Sequence, residues 1–211
     1  MDKRTLAAEI SKRLRKLYPD VHVELDYGTP FELMIASILA AQNTDVNVNK
    51  ITPELFRKYR GPADYLNVEQ EELEKDIYAS GFFRQKAKSI RAVSQRLVEE
   101  FGGKVPETME ELLTLPGIGR KTANVVLGDA MGIAAGIVVD THNIRLSALL
   151  GLSEQKSADK IERDLMELVP QKDWIQFGQW ITWHGRRVCN AKKPKCGECV
   201  LADICPSRKD E

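Results

Sequence analysis

Lys121 follows a glycine hairpin in the segment LPGIGRKTAN, residues 115–124, and falls in the first turn of the helix that this hairpin opens. Gly117, Ile118 and Gly119 form the tip. Two residues without Cβ atoms let main-chain N–H groups approach an anion closely, and the helix start adds unpaired donors and a favourable dipole, so the segment reads as a phosphate-binding turn. An ammonium at that end of a helix is opposed by the dipole and by neighbouring Arg120, which makes Lys121 a candidate amine nucleophile. Two plainer readings stay open: an ordinary helix-turn-helix connection, and a lysine that extends to solvent or pairs with phosphate as a cation. Upstream, Thr108 and Glu111 have capping-box spacing, and Leu112, Leu113 and Leu115 are expected to form the apolar face of the helix before the hairpin.

All four cysteines of the chain lie near its C-terminus, as Cys189, Cys196, Cys199 and Cys205 in the pattern C-x6-C-x2-C-x5-C. The N-terminal stretch is charged and amphipathic, with Leu6, Ile10 and Leu14 on one helical face, and carries no secretory signal. No apolar run is long enough to span a membrane. A reducing compartment is expected, where clustered thiols read as a metal site rather than as disulfides. The spacing admits zinc, although structural zinc usually pairs two short knuckles and only one C-x2-C occurs here. It equally admits a 4Fe-4S cluster. Chance clustering and two labile disulfides are the remaining alternatives.

A further candidate is Asp140 in VVDTHNIRL, where a carboxylate precedes a helix and reads as its N-cap. His142 beside it fits packing or a local hydrogen bond, and His22 has no chemical context. Taken in order, LPGIGRKTANVVLG, VVDTHNIRL and the cysteine tail, with ILAAQNTDVNVNK and GFFRQKAKSI upstream, resemble the endonuclease III family of DNA-repair glycosylase/lyases over nearly the whole chain. The resemblance implies an all-α helix-hairpin-helix glycosylase fold. Its parts would be a six-helix domain over residues 23–135 and a discontinuous iron–sulfur domain over residues 1–22 and 136–211, with Lys121 and Asp140 facing each other across a cleft.

The implied activity is base excision repair: removal of oxidised pyrimidines from damaged double-stranded DNA through a lysine Schiff base, then strand cleavage by β-elimination. Lys121 and Asp140 would be catalytic. Cys189, Cys196, Cys199 and Cys205 would hold a 4Fe-4S cluster, and Gln42, Phe82, Gly117, Ile118, Gly119, Lys192 and Lys193 would contact DNA. A bacterial cytoplasmic monomer associated with the nucleoid, with no membrane partner, completes the expectation. The alternatives are a monofunctional adenine- or thymine-mismatch glycosylase, which typically lacks a lysine at the Lys121 position, and a non-catalytic DNA-binding module. This chain departs from the family pattern at Phe82, where leucine is frequent, at Leu149, which replaces an arginine, and at Ala40, which replaces a small polar residue.

Length and composition are compatible with this: 211 residues with 43% apolar content can bury a core. Basic and acidic residues balance at 31 each, which argues against a protein that coats nucleic acid through bulk charge. Locally the balance breaks, because Arg186, Arg187, Lys192, Lys193 and Lys195 crowd the start of the cysteine loop without an acid. Thr29, Pro30 and Glu32 should open a buried helix running through Leu39. Ile90, Val93, Leu97 and Phe101 mark a second helix stopped by Gly102 and Gly103. Ile161, Leu165 and Leu168 mark a third, and Trp174, Phe177 and Ile181 a fourth, with Trp180 and Trp183 expected to pack in the core rather than stack on bases.

Overall fold

The computed structural model describes residues 1–209, among which no strand occurs. In chain order the α-helices are α1 (Lys3–Leu17), α2 (Pro30–Leu39), α3 (Asp45–Lys58), α4 (Pro62–Asn67), α5 (Gln70–Asp76), α6 (Phe83–Phe101), α7 (Met109–Leu112), α8 (Arg120–Val125), α9 (Thr141–Leu149), α10 (Ala158–Leu168) and α11 (Trp174–Arg187). Short 3₁₀ turns occur at Tyr78–Ser80, Gln171–Asp173 and Cys196–Glu198, and α8 runs on into a π-helical turn at Val126–Ala130. The chain divides into two compact units: Glu24–Ile133, and Met1–Val23 together with the residues from Ala134 onward. No helix among the described residues is long and apolar enough to cross a membrane.

In the unit Glu24–Ile133, α2 is apolar on nearly every side and is correspondingly enclosed, with Leu33, Met34, Ile35 and Leu39 fully buried. Thr29 caps it by accepting from the Glu32 N–H, while the Glu32 carboxylate accepts from the Gly28 N–H rather than from Thr29. The long helix α6 buries Ile90, Val93 and Leu97 against α2, α4 and α5, and ends where Gly102 adopts a φ of 58°. Between α7 and the hairpin one expectation fails. Leu113 points outward, whereas Met109, Leu112 and Leu115 are buried. Because α7 is a single turn and Leu113 already lies in its cap, helical periodicity no longer sets the direction of that side chain.

The other unit gathers α1, α9, α10 and α11 around Ile10, Leu14, Leu146, Ile161, Leu165, Phe177 and Ile181. Trp180 is buried there, and its indole N–H donates to the Tyr18 carbonyl. Trp183 is only partly buried, and the Arg187 guanidinium lies 3.6 Å from its ring centroid. Arg13 on α1 holds the cysteine tail by donating to the Val200 carbonyl at 2.8 Å and pairing with Asp203. At Gly178 on α11 a Cβ would lie 2.9 Å from the Val138 carbonyl oxygen and 3.1 Å from the Val138 nitrogen. Gly178→Ala is therefore expected to destabilise the protein by about 1–3 kcal/mol, as overpacking against main chain does. Chemical denaturation of the two proteins measures this, and equal midpoints would refute the close approach.

Candidate active site and thiol cluster

The hairpin is built by its own residues. Thr108 caps α7, its hydroxyl accepting from the Glu111 N–H and donating to the Glu111 carboxylate. Gly117 has a φ of 77°, in the left-handed region that a side chain disfavours. Gly119 has an ordinary φ of −97°, so its conformation alone does not require glycine; it is the N-cap of α8, and the space where a Cβ would stand is open. Ile118 sits between the two glycines. Its side chain is in the core and its N–H donates to the Leu115 carbonyl, so it fastens the tip from inside. Lys121 emerges exposed from the first turn of α8.

Asp140 is the N-cap of α9, as VVDTHN suggests. One oxygen, Oδ1, accepts from the His142 N–H at 2.8 Å, the Asn143 N–H at 2.9 Å and Asn143 Nδ2 at 3.1 Å. Oδ2 takes part in none of these bonds. Asn143 is fully buried, and the same amide also donates to Thr182 Oγ1 at 2.9 Å and to the Gly178 carbonyl at 3.2 Å, which ties the carboxylate to α11. His142 packs against Gly185, where a Cβ would meet its Nδ1 at 2.8 Å, and lies 3.4 Å from Arg145 Nη2. Exposed Lys192 borders the same open depression as Thr141, His142 and Arg145, which brings the basic loop beside the start of α9. Lys193 is exposed on that loop as well.

Gln42 and Phe82 stand out through their backbones. Among the described residues they are the non-glycine positions with positive φ, at 56° and 47°. Each such conformation costs roughly 1–2 kcal/mol. Both side chains are exposed, Phe82 by 66% despite its apolar ring. Their loops are bonded together: Asn43 Nδ2 donates to the Ser80 carbonyl at 3.1 Å, and Asn47 Nδ2 to the Ala79 carbonyl at 2.8 Å. Ala40, the C-cap of α2, begins the first loop.

Cys189, Cys196, Cys199 and Cys205 line one cavity of about 210 Å³. Among the described residues no three Cys, His, Asp or Glu side chains are grouped so as to hold a single metal ion. Burial pushes the Cys199 and Cys205 thiols up, against main-chain hydrogen bonds from Leu201 and Ser207 and with a smaller push from the neighbouring thiols, so a cationic centre is what would hold this set as thiolates. Donors converge on the sulfurs. Leu201 N–H donates to Cys199 Sγ at 3.4 Å, and Arg145 Nη1 bonds the Cys189 carbonyl at 2.7 Å and lies 3.7 Å from its Sγ. His184 Nε2 is 3.3 Å from Cys199 Sγ, with Nδ1 3.4 Å from the Tyr18 hydroxyl. Burial, with a smaller push from Arg145, lowers the His184 pKa to about 4, so at neutral pH the ring is neutral and one tautomer can donate to sulfur and accept from Tyr18. This donor set fits an anionic iron–sulfur cluster. Leu149 lines the same cavity, and its carbonyl lies 3.9 Å from Cys205 Sγ. Asn143, Arg145 and His184 escape sequence reasoning because each also bonds partners far along the chain.

Comparison with known proteins places the chain in a family. Residues 35–171 match the family model of the HhH-GPD superfamily base excision DNA repair protein, and residues 189–205 match the iron-sulfur binding domain of endonuclease III. An endonuclease III of Synechocystis sp. is 54% identical over 205 residues, covering 97% of this chain and 94% of its own length. The Escherichia coli K12 endonuclease III is 40% identical over 197 residues, 93% of each chain. A solved structure of a trapped endonuclease III–DNA covalent intermediate superposes with a TM-score of 0.92 at 41% identity, covering 98% of this chain and 97% of the other. Anaerobically purified protein is expected to contain iron and acid-labile sulfide, about four of each per chain, and Cys199→Ser is expected to lose most of both. Stoichiometric zinc without sulfide would overturn the fit.

Proposed function

Since the chain belongs to the endonuclease III family of helix-hairpin-helix base excision repair proteins, we propose that it excises oxidised pyrimidines from duplex DNA and cleaves the resulting abasic site, with Lys121 as nucleophile and Asp140 as the second catalytic residue. The exposed amine of Lys121 in the first turn after the glycine hairpin carries the reading. A damaged nucleotide must leave the base stack before any side chain can reach its C1′. Lys121 Nζ then bonds to C1′ while the bond from C1′ to the base breaks, the base leaving with the electron pair and taking up a proton. Opening of the sugar ring yields the protonated imine. Loss of a C2′ proton and departure of the 3′ phosphate complete the β-elimination, and water hydrolyses the imine to release the enzyme.

Asp140 supports the first step by stabilising positive charge on the sugar and assisting deprotonation of the amine. Because Oδ1 is engaged by three N–H donors, Oδ2 is the oxygen assigned to this work. Gln42 and Phe82 enter the gap left by the extruded nucleotide. The aromatic ring of Phe82 is larger than the leucine frequent there and can stack. Main-chain groups around Gly117 and Gly119 take one backbone phosphate, with Ile118 supporting the tip from the core, and Lys192 and Lys193 take others. Cys189, Cys196, Cys199 and Cys205 hold a 4Fe-4S cluster, which supplies a rigid cross-link that displays the basic loop. The working form is a monomer acting on the bacterial nucleoid in the cytoplasm.

Lys121→Gln is expected to retain duplex binding and lose the borohydride-trapped adduct with abasic-site DNA; trapping at the wild-type level would move the nucleophile to another amine. For Asp140→Asn, turnover on a thymine-glycol duplex should fall about a hundredfold or more, with affinity within about threefold, because the charge acts mainly in the transition state. Asparagine also caps helices well, so stability is spared. Equal turnover would leave Asp140 only its cap. Replacing Lys192 and Lys193 by alanine should weaken binding to every duplex and reduce the salt slope by up to about one for each phosphate that the loop no longer neutralises, with iron content unchanged. An unaltered slope would remove the loop from the interface.

A further inference from the structure

The loops that carry Gln42 and Phe82 share one buried anchor. Lys86, in the first turn of α6, is only 5% exposed, and its ammonium donates at 2.7 Å to the Leu39 carbonyl and at 2.7 Å to the Ser80 carbonyl. Leu39 ends α2 and Ser80 ends the 3₁₀ turn, so one cation closes the negative ends of two helical segments. Its partners are main-chain carbonyls rather than a carboxylate, and burial lowers its pKa below the ordinary lysine value. Burying a charge without a counter-ion opposes folding unless its hydrogen bonds are satisfied. The lysine is therefore an expensive way merely to fill space between α2 and α6.

What it secures is the spacing of two loops. Gln42 lies between Leu39, which Lys86 holds, and Asn43, which donates to the Ser80 carbonyl. Phe82 lies between Ser80 and Lys86, and its own carbonyl accepts the Lys86 N–H at 3.0 Å. Each of the two left-handed residues is thus bracketed by bonds to the other's loop. We propose that Lys86 is a positioning residue for nucleotide extrusion: by clamping both loops it makes Gln42 and Phe82 enter the duplex as one rigid two-pronged unit. This rests on the reading that these two side chains insert into DNA.

The test sets a reaction that needs the prongs against one that does not. Excision of thymine glycol from a duplex requires extrusion, whereas cleavage of an abasic site in a single strand leaves no gap to fill. Lys86→Met keeps the length of the stem and removes the ammonium. In the iron-loaded protein, single-turnover excision from the duplex is expected to fall by about ten- to a hundredfold, while single-strand cleavage stays within about twofold. The rise in 2-aminopurine fluorescence opposite an abasic analogue, which reports unstacking, should shrink in parallel. A matched fall in both reactions, or unchanged duplex excision, would overturn the proposal. Should Lys86→Met fail to fold, Asn43→Ala removes one of the two donors on the Ser80 carbonyl and carries the same comparison, with a loss of about threefold expected on the duplex alone; equal changes on both substrates would again overturn it. Failure of the functional reading looks different, because wild-type protein would then form no trapped adduct on either substrate.

Discussion

Every α-helix leaves N–H groups at its start and carbonyls at its end without partners inside the helix, and in a fold with helices as short as Met109–Leu112 those groups are a large share of the backbone. Satisfying them organises this protein. The residues assigned to chemistry or to DNA cluster at such ends: Lys121 in the first turn of α8, Asp140 capping α9, Phe82 preceding α6, and Gln42 just beyond α2. The coincidence has a physical basis. Helix ends are where main-chain dipoles point outward and where side chains are already recruited to meet them. A capping carboxylate such as Asp140 is oriented by its structural role, and its second oxygen inherits that orientation.

Much of this was legible from local pattern. Thr29, Thr108 and Asp140 each precede a helix with the spacing that caps require, and each caps one. Ile90, Val93 and Leu97 recur at the helical period and are buried together, and the cysteine spacing sufficed to suggest a shared ligand. Such signals depend on neighbours within one or two turns. Where an element is too short to impose a period, the reading breaks down, as it does at Leu113. Gly117 and Gly119 look alike in sequence, yet only the first has a backbone that disfavours any other residue.

The missed residues share another property. Lys86 reaches a carbonyl 47 positions earlier, Asn143 a hydroxyl 39 positions later, and His184 a tyrosine 166 positions earlier. Each is a polar side chain in an apolar surrounding whose partner is fixed only once the fold exists. In the sequence Lys86 is one of several cations in RQKAKS, and no local rule separates it from Lys88. Burial separates them: Lys86 lies against α2 and the 3₁₀ turn, and Lys88 is exposed. Sequence patterns locate reactive groups more readily than they locate the groups that hold them still.

The pairing of α1 with the cysteine tail through Arg13 and Asp203 spans 190 positions. The apolar stripe of α1, Leu6, Ile10 and Leu14, is covered by helices translated after the whole intervening unit. At about 5–20 residues per second a ribosome takes roughly 10 to 40 s to pass from Arg13 to Asp203. During that interval the unit Glu24–Ile133 can complete its core, whereas the first helix stands as an orphaned amphipath with no partner yet made. Order of synthesis and order of assembly therefore need not coincide in this molecule, since α1 is made before the helices that cover it.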